Sequence, residues 1–219
     1  MYSKISNTLE TMVTEQRIDL VELSACALCL SQELPMEKYT LETILKNAEI
    51  NLVFQPVNGG SSLAATFSRM SKITNKMYNF ILIDEDISWH QKRFLAGREF
   101  ALYMMGKRDN YKGMSLLSPI EKIISETFSR FLFLPFTTVV KELSMYTDGG
   151  KSIPKKSSEW LHYLCAFAKI PYEEVSIGFD HIRMISVLLQ SGVGFNKNTF
   201  AEQKKEMLAV LEQNKALID

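Results

Sequence analysis

Two adjacent charged residues, Arg98 and Glu99, stand inside an apolar stretch that reads RFLAGREFALYMM from residue 93 to 105. A carboxylate in such a setting can act as a general base, or it can pair with the neighbouring guanidinium. The helical spacing of the apolar positions predicts a helix from Gln91 to Met105, ended by Gly106. The charged residues therefore form either a buried site or a surface pair on an amphipathic helix.

A second motif with possible chemistry is the CxxC formed by Cys26 and Cys29. No second CxxC or HxxxH accompanies it, and it lies in an apolar run, so we interpret both residues as buried helix cysteines. With Cys165 the chain has an odd number of thiols, which favours a reducing compartment.

Gly150-Lys151-Ser152 has the ending of a phosphate-binding loop, but Met145 stands where such a loop has its first glycine. We therefore predict a plain polar loop over residues 147–158.

Charge and hydropathy restrict the classes of partner. The 25 basic residues balance 25 acidic ones, so the chain as a whole has no field that would attract nucleic acid or a membrane. No run of 18 apolar residues occurs, and the first residues are polar. These features predict a cytoplasmic protein with no membrane partner, for which nucleic acid is an unfavoured partner.

The periodicity predicts an α+β fold that is mainly helical. Strands are expected at residues 51–57, 63–70 and 79–85, the first two joined by a hairpin loop at 58–62. Pro56 predicts that the first strand is an edge strand or ends there. The expected organisation is an N-terminal helical segment (1–49), a core (50–146), the polar loop (147–158) and a C-terminal helical region (159–219).

Helices follow the strands. Ser118, Pro119 and Glu121 form a capping-box pattern that begins a helix ending at Pro135. Further helices are predicted from 159 to 169 and from 172 to 189. A last helix within 198–219 is expected to pack on the body of the protein or to mediate self-association.

RFLAGREFALYMM resembles the active-site helix of the ImmA/IrrE family of zinc metallopeptidases, whose pattern is approximately RFTLAHELGHYLL. Two later segments, IEKIISETFSRFLFLP and YLCAFAKIPYEEVSIGF, resemble later family motifs in the same order. The matching positions are Arg93, Phe94, Glu99, Tyr103, Phe128, Leu132, Pro135, Phe167, Val175 and Phe179. The resemblance covers about residues 45–190, and it implies a zincin-like core with a small sheet before the active-site helix.

The residues that would bind zinc are absent from the matching positions. The family's HExxH corresponds to REFAL (98–102), and the third ligand position corresponds to Lys122. Arg98 cannot be deprotonated to bind a metal, Leu102 has no lone pair to donate, and Lys122 is a cation. The resemblance thus implies a protein without metal or other cofactor, in which Arg98, Leu102 and Lys122 line the former cleft. Glu99 is then a vestigial base that pairs with Arg98.

Neighbouring residues offer no obvious replacement ligands. Glu121 already serves the capping box, and Glu126 is spaced for an exposed ion-pair row with Lys122 and Arg130. His90 is interpreted as a solvated residue ahead of the helix.

Proteins that resemble this family act on bacterial and phage repressors. The resemblance therefore implies a non-catalytic protein that binds a protein partner, such as a transcriptional repressor or another regulator encoded by a phage or mobile element, as an antirepressor does. Two alternatives stay open: an active zinc peptidase with a rebuilt site, and a DNA-binding regulator that uses residues 159–189 or the N-terminal helices, although both regions are net acidic.

Overall fold

The computed structural model describes residues 1–32, 41–56, 63–107, 117–146, 158–193 and 199–214, with the backbone alone for residues 32, 146 and 158. As predicted, the fold is α+β and mainly helical, with a three-stranded mixed sheet. The elements in chain order are α1 (Tyr2–Thr14), α2 (Leu20–Gln32), α3 (Leu41–Asn47), β1 (Ile50–Gln55), β2 (Ala64–Met70), β3 (Met77–Asp84), α4 (Trp89–Met104), α5 (Pro119–Phe133), α6 (Phe136–Tyr146), α7 (Ser158–Ala168), α8 (Tyr172–Gln190) and α9 (Ala201–Gln213).

The chain forms two compact units, which divide it differently from the predicted boundaries. Unit 1 comprises Met1–Ile18 and Leu34–Ser129, and unit 2 comprises Asp19–Glu33 and Arg130–Asp219. Helix α2 therefore belongs with the C-terminal helices, although the sequence places it in an N-terminal segment.

The sheet of unit 1 has the strand order β1-β3-β2. Strand β1 runs parallel to β3, and β2 runs antiparallel to β3. The predicted hairpin between β1 and β2 is therefore wrong: both strands pair with β3, and the hairpin is formed by β2 and β3. Residues 58–62 lie outside the described residues. The position of Pro56 is confirmed, because β1 is an edge strand and ends at Gln55.

Helix α4 packs against β2 and β3, while α3 packs against β1 and α1 packs against α4. The first turn of α4 is fixed by a capping box. The Ser88 hydroxyl accepts from the Gln91 backbone N–H, and the Gln91 side chain accepts from the Ser88 N–H. The helix thus begins two residues before the predicted start. Gly106 follows its end with a φ of +70°, a conformation that glycine adopts readily.

All the regular secondary structure of unit 2, within the described residues, is helical. Helix α6 was not predicted, because Pro135 was interpreted only as the end of α5. Pro135 also precedes α6, and its carbonyl accepts a hydrogen bond from the Val139 N–H at 3.0 Å. Helix α9 packs against α2, α6 and α8, with Phe200, Met207 and Leu211 buried. Packing of the last helix on the body of the protein is confirmed for residues 199–214, and self-association stays a prediction.

Within the described ranges, no single helix combines the length and the apolar composition that crossing a membrane requires, and only α5 with α6, bent at the break between them, meets those criteria as a pair.

Candidate functional site

The interior of unit 1 contains an ion pair between two consecutive residues of α4. Arg98 is 5% exposed and Glu99 is 0% exposed. Nη2 of Arg98 donates to Oε1 of Glu99 at 2.7 Å, and Nε donates to the same oxygen at 3.2 Å. The predicted pairing is confirmed, and the alternative of a surface pair is wrong because both side chains are buried.

The second carboxylate oxygen of Glu99 is held by β2. The Thr66 hydroxyl donates to Oε2 of Glu99 at 2.8 Å, and it also lies 3.2 Å from the Glu99 carbonyl oxygen. Thr66 is itself 0% exposed. Sequence analysis missed this residue. Successive residues of a strand face opposite sides of the sheet, so Thr66 shares a face with Ala64, and it pairs with Ile81 of β3, but the sequence of β2 has no polar-apolar alternation that would indicate its burial.

The surroundings of Glu99 suit a structural role better than general-base catalysis. A general base needs an oxygen within reach of a water molecule or a substrate. Both carboxylate oxygens of Glu99 instead contact buried protein groups, the guanidinium of Arg98 and the hydroxyl of Thr66. Hydrogen bonds of this kind offset part of the cost of burying the carboxylate and the guanidinium.

The residues at the three positions that match zinc ligands in the resembling family do not fit a zinc ion. Leu102 lies one turn beyond Arg98, where it is 0% exposed and part of the core, so it does not line an open cleft as expected. Lys122 lies on the exposed side of α5. An aliphatic side chain and two cations supply none of the donors that Zn²⁺ requires. Among the described residues, no three His, Cys, Asp or Glu side chains are grouped to hold a metal ion.

Two contacts join α5 to α4. The Ser129 hydroxyl donates to the carbonyl oxygen of Phe94 at 2.8 Å. The rings of Phe128 and Phe100 lie 6.3 Å apart, and both are fully buried. Phe94 and Phe128, which match apolar positions of the family pattern, are thus core residues of unit 1.

The capping box at the start of α5 is confirmed. Oε2 of Glu121 accepts from the Ser118 N–H at 2.8 Å, and the Ser118 hydroxyl accepts from the Glu121 N–H at 3.4 Å. Oε1 of Glu121 pairs with Lys107 at 2.7 Å. Burial alone would raise the pKa of Glu121, but the hydrogen bonds from Lys107 and Ser118 outweigh it and hold the pKa below its usual value.

The prediction that Arg130 belongs to an exposed ion-pair row with Glu126 is wrong. This arginine is 6% exposed and pairs with Glu174 of α8, with Nη2 and Nε at 2.7 and 2.8 Å from Oε2. The sequence could not show this contact, because the partners are 44 residues apart.

The remaining candidate ligands are dispersed. His90 is exposed as expected, but it lies within the first turn of α4 instead of ahead of the helix. Both cysteines of the CxxC lie on α2 as predicted, but burial is confirmed for Cys26 alone, because Cys29 is partly exposed. Burial raises the pKa of the Cys165 thiol, which lowers its reactivity.

A scan of the chain against models of known protein families finds no match, and a search of curated protein sequences finds none either.

Proposed function

We propose that the chain is a metallopeptidase-like protein that lacks peptidase activity and acts by binding a protein partner. The observation that carries this proposal is the buried contact between Arg98 and Glu99. In the HExxH pattern that this segment resembles, these positions hold a zinc ligand and the general base. Here the same two positions form an ion pair inside the protein.

Hydrolysis of a peptide bond by this class of enzyme depends on zinc, which acidifies a bound water and polarises the scissile carbonyl. With Arg98 and Leu102 at the two helix positions, the chain has no imidazole pair to hold the metal. The proposed function is therefore binding without cleavage. The zincin-like character of unit 1 belongs to this proposal, supported by the sheet that precedes α4 and by the contacts between α4 and α5.

The proposed partner is a transcriptional repressor or a related regulator, in the manner of an antirepressor encoded by a phage or mobile element. This step rests on analogy with proteins of the resembling family, which act on such repressors. The proposed location is the cytoplasm, where such a regulator would be found.

Two measurements on the full chain test the proposal. Elemental analysis of protein expressed with added zinc is expected to find far less than one zinc per chain. Affinity capture from the native host, with crosslinking, is expected to recover a regulator of full length. One zinc per chain would contradict the proposal. So would a cleaved regulator whose cleavage is lost in Glu99→Gln and retained in the control variant Glu212→Gln, an exposed residue of α9.

A further inference from the structure

The hairpin formed by β2 and β3 has a charge distribution unlike that of the whole chain. Residues 64–84, which form the hairpin, contain three basic residues and one acidic one, Asp84, at the end of β3 away from the turn. The three are Arg69, at the end of β2, and Lys72 and Lys76, in the turn between the strands, and all are exposed. A net charge of zero over the chain thus conceals a positive end on this hairpin.

Apolar side chains cluster at the same end. Ile73 in the turn is 96% exposed. Met70 and Met77, cross-strand partners at the ends of the two strands, are 59% and 53% exposed. A single exposed apolar residue is common on a protein surface. Three around one turn, one of them almost fully exposed, indicate an interaction surface. We call residues 70–77 the hairpin tip.

The hairpin tip has a defined conformation. The Ser71 N–H donates to the Lys76 carbonyl at 2.8 Å, and the Asn75 N–H donates to the Ser71 carbonyl at 2.9 Å. The Ser71 hydroxyl accepts from the backbone N–H groups of Ile73 and Thr74. Asn75 has a φ of +55°, which asparagine tolerates. The turn therefore presents Ile73 outward before any partner arrives.

We propose that the hairpin tip docks on the surface of a lipid bilayer that contains anionic lipids. Ile73, Met70 and Met77 would enter the boundary between headgroups and acyl chains, while Lys72 and Lys76 approach the lipid phosphates. Aliphatic side chains on a convex tip suit a fluid bilayer, which deforms around them and needs no preformed pocket.

Nucleic acid would use the same positive charge but fits the hairpin tip less well. Bases stack on aromatic rings, and the most exposed side chain of the tip, Ile73, has none. The absence of a membrane partner was expected from the balanced charge of the whole chain. The proposal departs from that expectation because charge and apolar surface are concentrated on one hairpin.

Sedimentation of the full chain with vesicles tests the proposal. One vesicle is pure phosphatidylcholine, and the other contains about one third phosphatidylglycerol, whose anionic headgroup attracts surface lysines. The chain is expected to bind the vesicle that contains phosphatidylglycerol and not the vesicle of pure phosphatidylcholine. Binding should weaken when the salt concentration is raised several-fold, because salt screens interactions between exposed charges.

Variants of exposed residues separate the two contributions. Ile73→Ser is expected to weaken binding about tenfold, since it removes an apolar side chain that the bilayer would bury. Lys72→Gln combined with Lys76→Gln should weaken it about 30-fold. The matched controls are Val187→Ser, which is 65% exposed on α8, and Lys141→Gln combined with Lys205→Gln. The controls should bind as the parent chain does, and circular dichroism should show that every variant is folded.

Three results would overturn the proposal. One is the absence of binding to the anionic vesicle. Another is equal loss of binding in the tip variants and the controls. The third is tighter binding to a single-stranded oligonucleotide than to the vesicles, with Ile73→Ser unaffected, which would assign the hairpin tip to nucleic acid.

Discussion

Nη2 of Arg98 lies 2.7 Å from Oε1 of Glu99, although the two residues are neighbours on one helix. Successive side chains of an α-helix point about 100° apart, so the long arginine side chain must turn toward the carboxylate to make this contact. The pair neutralises two charges inside unit 1. Loss of either partner would leave an uncompensated charge in the interior, which costs more than the pair itself contributes.

Arg98→Met is therefore expected to lower the free energy of unfolding by about 3–5 kcal/mol, because Glu99 would stay buried without its cation. The double variant Arg98→Met with Glu99→Leu should lose less than the sum of the two single variants. Urea denaturation measures each value. Arg183→Met, at an exposed position of α8, is the control and should lie within about 0.5 kcal/mol of the parent chain. A single variant as stable as the parent would contradict the structural role of the pair.

The hydrogen bond from Thr66 to Glu99 can be removed with little change of shape. Thr66→Val is expected to lower the free energy of unfolding by about 1–3 kcal/mol, because Oε2 of Glu99 would lose a buried donor. Thr66→Ser keeps the hydroxyl and should recover a large part of that loss. If Thr66→Val were as stable as the parent chain, the hydrogen bond to Glu99 would contribute little to stability.

Local signals predicted the elements of this fold well. The apolar spacing around α4, the capping box at Ser118 and the edge position of Pro56 each depend on residues close in sequence, and each is confirmed. The pairing of β1 with β2 in a hairpin was predicted incorrectly, because both strands pair with β3 and no short motif encodes that arrangement.

Contacts between distant segments were the other part that the sequence did not reveal. Thr66 is 33 residues from Glu99, and Arg130 is 44 residues from Glu174. Residues so far apart in sequence come into contact because helices and strands pack against one another. Composition and periodicity describe one element at a time, so they indicated that Arg98 and Glu99 were unusual but could not show that Thr66 completes the site.

The pKa of Glu121 predicts a dependence of stability on pH. A carboxyl whose pKa is lowered by folding stabilises the protein above its unfolded pKa, and this contribution is lost as the pH falls through the folded value. Glu121→Gln should therefore cost about 1 kcal/mol at neutral pH, and less as the pH falls through the lowered pKa of Glu121. Urea denaturation across this range measures the difference. Glu212→Gln is the control, and a Glu121→Gln deficit that stayed constant with pH would contradict the prediction.

In unit 2, Glu22 of α2 pairs with Lys204 of α9, and both side chains are almost fully buried. Lys204→Met is expected to lower the free energy of unfolding by about 3–5 kcal/mol, because the carboxylate of Glu22 would lose its buried cation. Lys205→Met changes the adjacent, exposed lysine and should have little effect. Equal stability of the two variants would show that the pair does not hold α9 in place.

The final prediction concerns restoration of the zinc ligands by Arg98→His, Leu102→His and Lys122→Glu. Leu102→His alone should cost about 2 kcal/mol or more, because it places a polar ring where a leucine is fully buried. Leu102→Met, which keeps the apolar volume, should cost less than about 1.5 kcal/mol.

If unit 1 has the proposed zincin-like arrangement, the triple variant gains an imidazole pair at i and i+4 and an acid on the second helix, which together supply three ligands. Zinc should then bind to the triple variant and raise its unfolding temperature, because a ligand that binds only the folded state stabilises it. The parent chain should show neither effect. Elemental analysis and thermal unfolding, each with and without zinc, measure both. A folded triple variant that takes up no zinc would mean that Lys122 does not face Arg98 and Leu102, and the resemblance to the metallopeptidase family would fail with it.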